Sequence, residues 1–173
     1  MGARVARVVS GGQSGVDRAA LDWAIAHDLP YGGWCPAGGW AEDLTEPPGL
    51  LTRYEGLRAT PSPEPSERTR RNVRDSDLTL IVSGAPSPGT ERTVAAAREL
   101  GRPVVVTDGG EGVVPAVAAA LAEIGGRVVV NVAGPRASEW AKGYEVTWWV
   151  LDALRAGGLV ADQGRGAPTR GTR

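Results

Sequence analysis

Three glycines, Gln13 and Ser14 fill residues 11–15, between a β-branched run and a helical pattern that begins at Val16. Gly11, Gly12 and Gly15 let backbone N–H groups approach an anion without interference from a Cβ. The following helix N-terminus adds unpaired donors and partial positive charge, and Gln13 and Ser14 add side-chain donors. A tight strand-to-helix turn with no ligand is the other reading. The spacing is not G-x-G-x-x-G, so ordinary dinucleotide binding is not indicated. A second glycine turn, residues 84–90, also follows a strand-like run and precedes a helix-like one. In an open α/β sheet both turns fall at the carboxyl edge, where ligands sit, so a phosphate or ribose is expected between them. Taken alone, the second turn is equally well a structural one.

The segment ERTRRNVRDSD, residues 67–77, has Val73 as its only aliphatic residue. Helical spacing puts Arg68, Asn72 and Asp75 on one stripe, flanked by Thr69 and Ser76. Such a helix is either a solvated charged face or the wall of a polar site. Glu42 and Asp43 are adjacent in a long loop. They are a candidate acid–base pair, or carboxylates that are solvated or paired with arginine. Cys35 reads as a small buried hydrophobe, because no His or second Cys stands near it in sequence. His27 falls near the C-terminus of the first helix, where a cation is favoured.

The elements that must position these residues alternate. Strands are expected at 4–10, 31–34, 78–84, 103–107 and 127–132, and helices at 16–27, 91–100, 111–124 and 144–155. A further helix is expected after Ser62 as N-cap and Pro63 as first helical residue. The stretch between Cys35 and Pro63 is rich in Pro and Gly and too long for a mere connector. Alternation of this kind predicts an α/β domain with a mainly parallel sheet. One domain is expected over residues 1–156, with a flexible tail at 157–173. The last helix carries apolar residues all round. Trp149, Val150, Ala153 and Leu154 are expected to face the sheet, leaving Tyr144, Trp148 and Leu151 to be covered, which suggests a subunit interface.

The whole chain narrows the function classes. Its 173 residues suffice for one well-buried domain, and a formal net charge of −1 gives no general attraction to nucleic acid or anionic membranes. One Cys and one His exclude an intrachain disulfide and a Cys/His metal cluster. There is no run of 18 apolar residues and no signal-peptide pattern at the start, so a soluble cytoplasmic protein is expected.

The segments SGGQSGVDRAALDWAI, GGWCPAGGWAED, ERTRRNVRDSDLTLI, PGTERTV and VNVAGPRASE occur in that order. Together they resemble the molybdenum carrier family, over residues 5–154. That family is similar to a circularly permuted, YpsA-like branch of the SLOG group of Rossmann-like proteins, which contains the Lonely Guy and lysine-decarboxylase-like proteins. The resemblance implies a three-layer Rossmann-like fold, a mainly parallel sheet flanked by helices, with a pocket at the strand ends. It implies a small phosphate-bearing ligand, either molybdenum cofactor (molybdopterin) or a nucleotide-like molecule, and a homo-oligomer, dimer or tetramer.

By matching motif, Gly11, Gly12, Gln13, Ser14 and Gly15 would form the anion cradle, supported by Asp17 and Arg18. Gly33, Trp34, Pro36, Glu42 and Asp43 would line the rim. Arg68, Thr69, Asn72, Asp75 and Ser76 would face the site. Gly89, Thr90 and Thr93 would form the second turn, and Asn131, Gly134, Pro135 and Arg136 would close it. Three departures stand out. Ser14 replaces a frequent Thr and keeps the hydroxyl. No basic residue lies between Ala37 and Trp40. The related phosphoribohydrolases carry P-G-G-x-G-T-x-x-E, and Thr93 stands where their catalytic Glu would fall, with Glu91 two positions early.

The first functional reading is therefore a binding or carrier protein, with Arg68, Arg18 and Arg136 offsetting ligand charge and Trp34 or Trp40 stacking on its ring. With no metal-ligand spacing, molybdenum would arrive within its organic cofactor. The second is a nucleotide-derivative hydrolase using Asp43, Glu42 or Asp75. The third is a ligand sensor that changes assembly through the aromatic C-terminal helix.

Overall fold

The β-branched runs become six strands: β1 Arg4–Val9, β2 Tyr31–Cys35, β3 Leu57–Ala59, β4 Leu78–Val82, β5 Val104–Thr107 and β6 Arg127–Ala133. In the computed structural model, which describes residues 2–163, they form one sheet in the order β3-β2-β1-β6-β4-β5. Every pairing is parallel. Parallel strands need crossovers, and the helices supply them: α1 Val16–Ala26, α2 Leu50–Arg53, α3 Pro65–Arg74, α4 Pro88–Glu99, α5 Val113–Ile124 and α6 Gly143–Ala156. This is the α/β architecture with a parallel sheet expected from the alternation, and the Rossmann-like fold that the family resemblance implied. Helices α1, α5 and α6 pack together, as do α3 and α4. Right-handed crossovers put these two groups on opposite faces of the sheet.

The two faces are unequally filled. Val8, Val16, Trp23, Leu80, Val130, Val132, Leu151 and Leu154 build the main core under α1, α5 and α6. Leu21, Cys35, Leu50, Tyr54 and Leu57 build a second one, under the chain between β2 and β3. That chain holds a 3-10 turn at Ala37–Gly39 as well as α2 and β3, elements that its Pro/Gly-rich sequence conceals. By contrast α4 buries only Thr90, Thr93 and Ala97.

Several sequence expectations change. Helix α3 starts at Pro65 with Glu64 as N-cap, not at Pro63. Ser62 Oγ instead accepts from Glu64 N at 3.1 Å, a local turn that delays the helix. Helix α4 starts at Pro88, three residues early, because Ser87 and Thr90 form a reciprocal capping box. The run 103–107 reads as buried, yet Val106 is 62% exposed because β5 is the outermost strand. On α6, Trp149 faces outward while Leu151 is buried, the reverse of the expected assignment. Of the expected tail, Val160 bridges to Val5, and Val5 N and Ala161 N complete hydrogen bonds there. The rest of the tail, 164–173, lies outside the described residues.

Candidate functional site

Strand order fixes where a site can form. From β1 the chain steps outward to β2 and β3, then crosses over to β4, with β6 closing the gap between. A crevice opens at such a switch point, beyond the carboxyl ends of the strands. A small polar pocket of about 60 Å³ lies there. Its walls come from Gly11 of the first turn, Asp17 of α1, Arg68, Thr69 and Asn72 of α3, Gly89 and Thr93 of α4, and Asn131 and Gly134 at the end of β6. Pro65, Arg92 and Ala133 complete it.

Arg68 and Asp17 form its charged centre. Arg68 Nη1 donates to Asp17 Oδ2 at 2.9 Å, with side-chain exposures of 17% and 3%. Burial pushes the Asp17 carboxyl above the ordinary aspartate range, against the opposing pull of Arg68 and of the Gln13 and Gly134 backbone groups. Arg68 Nε is buried with no hydrogen-bond partner among the described residues. A buried, unpaired guanidinium donor is costly unless a ligand completes it. Gly11 is required for the pair: a Cβ there would sit 1.7 Å from Arg68 Nη1.

The remaining cradle residues have other partners. A Cβ on Gly12 would meet Leu50 and Leu57 at 3.0 Å, so this glycine faces the second core. Gln13 Oε1 accepts from Ser14 N and Glu42 N. Arg18 N donates to Gln13 O, and Val16 N to Pro135 O. Gly15, at φ 82°, packs against the Pro135 carbonyl and Ala137 N. Ser14 N and the Gly12, Gln13 and Gly15 carbonyls of the turn are thus engaged within the chain, while the N–H groups of Gly11, Gly12 and Gly15 have no hydrogen-bond partner among the described residues.

The rim residues form a strap across that turn. Arg18, 5% exposed, makes a two-pronged hydrogen bond to Asp43 at 2.9 and 2.8 Å. This bond holds the Asp43 carboxyl below its usual range. Glu42 accepts from Ser14 Oγ, from Ser138 N at 3.1 Å and from Ser138 Oγ at 2.6 Å. Burial pushes its carboxyl up, but these bonds outweigh it and hold the group low. Arg136 Nε lies 3.9 Å from Glu42 and 3.5 Å from Glu139, pointing along the strap. None of these groups lines the pocket.

Helix α3 divides likewise. Asn72 lines the pocket, but its amide also accepts from Trp34 N at 2.7 Å and donates to Trp34 O at 2.9 Å. It therefore docks α3 onto β2. Gly33 makes room for β1 and for this contact, since a Cβ would meet Ser10 O at 2.2 Å and Asn72 Oδ1 at 3.0 Å. Trp34 does not offer a free ring: Arg71 lies over it at 4.6 Å, and its Nε1 donates to Asp75 at 2.8 Å. Arg74 also binds Asp75 and holds its carboxyl low. Ser76 Oγ donates to Val73 O. Pro36 caps the 3-10 turn, and Thr90 belongs to the α4 capping box.

Pro65, Arg92 and Ala133 are the pocket residues that sequence reasoning missed, and Arg92 is the charged one. Starting α4 at residue 91 hid it. With α4 starting at Pro88, Gly89, Arg92 and Thr93 share one face by i, i+3, i+4 spacing. Asp17 is the one carboxylate among the lining residues, and Thr93 Oγ1 is spent on Gly89 O at 3.0 Å. The described residues contain no cluster of His, Cys, Asp or Glu able to hold a metal ion. None of their helices is long and apolar enough to cross a membrane.

The model of the circularly permutated YpsA SLOG family matches residues 8–154. Among solved structures, the chain is similar to the "Putative molybdenum carrier protein" from Syntrophus aciditrophicus SB, a crystal structure at 1.45 Å. The two share 34% identity over 89% of this chain and 97% of the other, with a TM-score of 0.79. No curated protein matches.

Proposed function

The chain belongs to the circularly permuted YpsA SLOG family, and from that premise we propose that it is a binding or carrier protein for a phosphate-bearing, pterin- or nucleotide-like ligand, with molybdenum cofactor as cargo. The observation that carries this reading is the unpartnered Arg68 Nε beside Gly11, in a pocket at the sheet's switch point. Arg92, from the neighbouring helix, adds a second guanidinium to the same wall. Two arginines give charge-assisted, directional recognition of a phosphate. Asp17 positions Arg68 rather than the ligand.

Size sets the mode of binding. The pocket's 60 Å³ is far below the roughly 300–1,000 Å³ of sites that enclose a whole organic ligand. It suits the anionic end of such a molecule and leaves the ring outside, against the rim. Molybdenum would then stay bound to its organic cofactor. Glu42, Asp43 and Asp75, the candidate acids of a hydrolase, are all engaged elsewhere. Carriage without turnover accords with that arrangement.

The test is thermal shift and calorimetry on the full chain with molybdenum cofactor, nucleoside 5′-monophosphates and inorganic phosphate. Stabilisation by the cofactor is expected. Arg92→Ala should weaken binding by roughly 1.5–3 kcal/mol, the worth of a charged hydrogen bond, while the unliganded melting temperature stays put because Arg92 is exposed. Stabilisation by nucleotides alone would replace the cargo. Undiminished binding by both Arg92→Ala and Arg68→Ala would overturn the site.

A further inference from the structure

The lining of the polar pocket does not consist of donors alone. Gly11 opens it onto both members of the buried ion pair: a Cβ there would lie 2.9 Å from Asp17 Oδ2 as well as against Arg68 Nη1. A carboxylate thus stands at the floor of a site otherwise suited to an anion. Two hydroxyls in the lining add to it. Thr69 Oγ1 donates to Pro65 O and Thr93 Oγ1 to Gly89 O, each at 3.0 Å. Both have spent their protons within their own helix and keep only lone pairs. At about 60 Å³ the pocket leaves little room for water between a bound anion and these oxygens.

A carboxylate beside a bound anion is repulsive unless a proton lies between them. A fully deprotonated oxyanion has only acceptors to offer and would meet further acceptors here. A phosphate monoester differs, because its second ionisation falls near about pH 6 and its monoanion keeps one O–H. That O–H can donate to Asp17 Oδ2. The remaining oxygens can accept from the unpartnered Arg68 Nε and from Arg92. Sulfate and free molybdate carry no such proton at neutral pH, and a phosphodiester has none to give.

Resting on the phosphate-carrier reading, we infer that Asp17 determines which anion the pocket accepts: a terminal phosphate monoester that brings a proton, to the exclusion of sulfate, free molybdate and phosphodiesters. Its bond to Arg68 positions the guanidinium, and its remaining lone pairs set the condition for entry. Among the described residues Arg68 of α3 is the one charged group that acts on this carboxyl, and Arg92 of α4 is the other charge in the lining. Arg18, next in the chain, turns to Asp43, and Arg136, beyond β6, lies along the strap near Glu42 and Glu139. Burial raises the affinity of Asp17 for its own proton. In acid, therefore, the carboxyl itself supplies the proton that sulfate lacks.

Calorimetry on the full chain with inorganic phosphate and sulfate, anions of like size and shape, tests this. Phosphate should bind the wild type roughly tenfold or more tighter than sulfate at pH 7. At pH 8, where free phosphate is mostly the dianion, its binding should take up about one proton, read from heats in buffers of different ionisation enthalpy. Sulfate binding should strengthen as pH falls from 7 to 5. In Asp17→Asn sulfate should bind as well as phosphate, with an affinity that stays flat over that range. Arg92→Ala should weaken both anions alike. Equal binding of the two anions by the wild type, or phosphate binding without proton uptake, overturns the inference and leaves the pocket standing as an anion site. If neither anion binds the wild type, the pocket reading fails and the inference falls with it. If Asp17→Asn binds neither anion because Arg68 has lost its place, the proton count of the wild type decides.

Discussion

Gly11 and Gly12 are adjacent, but their missing side chains face different surroundings. A Cβ on Gly11 would overlap the Arg68 guanidinium, and Arg68 is a flexible group that can move aside. Gly11→Ala should therefore abolish stabilisation by molybdenum cofactor or phosphate, and it should also lower the melting temperature of the unliganded protein, because displacing Arg68 leaves the buried Asp17 carboxyl without its partner. Gly12 has φ 74°, and its Cβ would press on Leu50 and Leu57. Gly12→Val combines left-handed strain with overpacking and should cost roughly 2–4 kcal/mol of stability, read as a lowered melting temperature. Equal stability losses in the two variants would show that the turn is a single rigid unit. The glycine count of this turn is plain in the sequence. Which glycine meets the arginine is not, because that depends on dihedral signs set by what α1 and β6 allow.

At the scale of elements, α3 shows why a polar stripe can mislead and inform at once. Of its stripe Arg68, Asn72 and Asp75, flanked by Thr69 and Ser76, Arg68, Thr69 and Asn72 line the pocket, while Asp75 bonds Trp34 and Arg74 and Ser76 bonds Val73. The spacing cannot distinguish a residue offered to a ligand from one that fastens the helix. Asn72 does fasten it, bonding both the N–H and the carbonyl of Trp34. Asn72→Ala would leave both backbone groups without their partner and should cost about 2–4 kcal/mol, measurable by urea unfolding. A loss under 1 kcal/mol would mean that water replaces the amide and that α3 is held by Val73 alone. The strap residues Glu42 and Asp43 were legible as carboxylates in a long loop, and their partners were not. Ser14, Arg18 and Ser138 reach them from 25 or more residues away in sequence, across contacts that only the closed fold creates. The capping box that starts α4 was, by contrast, written locally in Ser87 and Thr90.

For the whole molecule, alternation and β-branched runs sufficed to read five of the six strands of the parallel sheet, because each of those is specified by its own short pattern, whereas β3 and α2 lie in a Pro/Gly-rich stretch with no such pattern. The sheet's edges were harder, since a run of valines reads the same in a central strand and in exposed β5. Charge pairing across the fold, as between Arg18 and Asp43, was invisible in the sequence, whereas Arg74 and Asp75 are neighbours in it, and both pairings govern how stability depends on pH. Arg18 bonded to Asp43, and Arg74 bonded to Asp75, hold those carboxyls below their ordinary range. Their folded-state values lie below the unfolded ones, so they contribute stability that is full above roughly pH 4 and lost as pH falls through the lowered values. Asp17 has the opposite sign. Burial raises its folded-state value, so its contribution is full in acid and is lost as pH rises through that raised value. The two effects oppose each other in mild acid. Asp43→Asn removes one ion pair that favours neutral pH and should flatten the loss of stability on acidification. Asp17→Asn removes the opposing group and should steepen it, whatever its effect on stability at neutral pH. Unfolding free energies from pH 7 to 3 for the three proteins check this. If the profiles of wild type and Asp17→Asn run parallel, Asp17 has the same affinity for its proton folded and unfolded, and Arg68 fully offsets its burial.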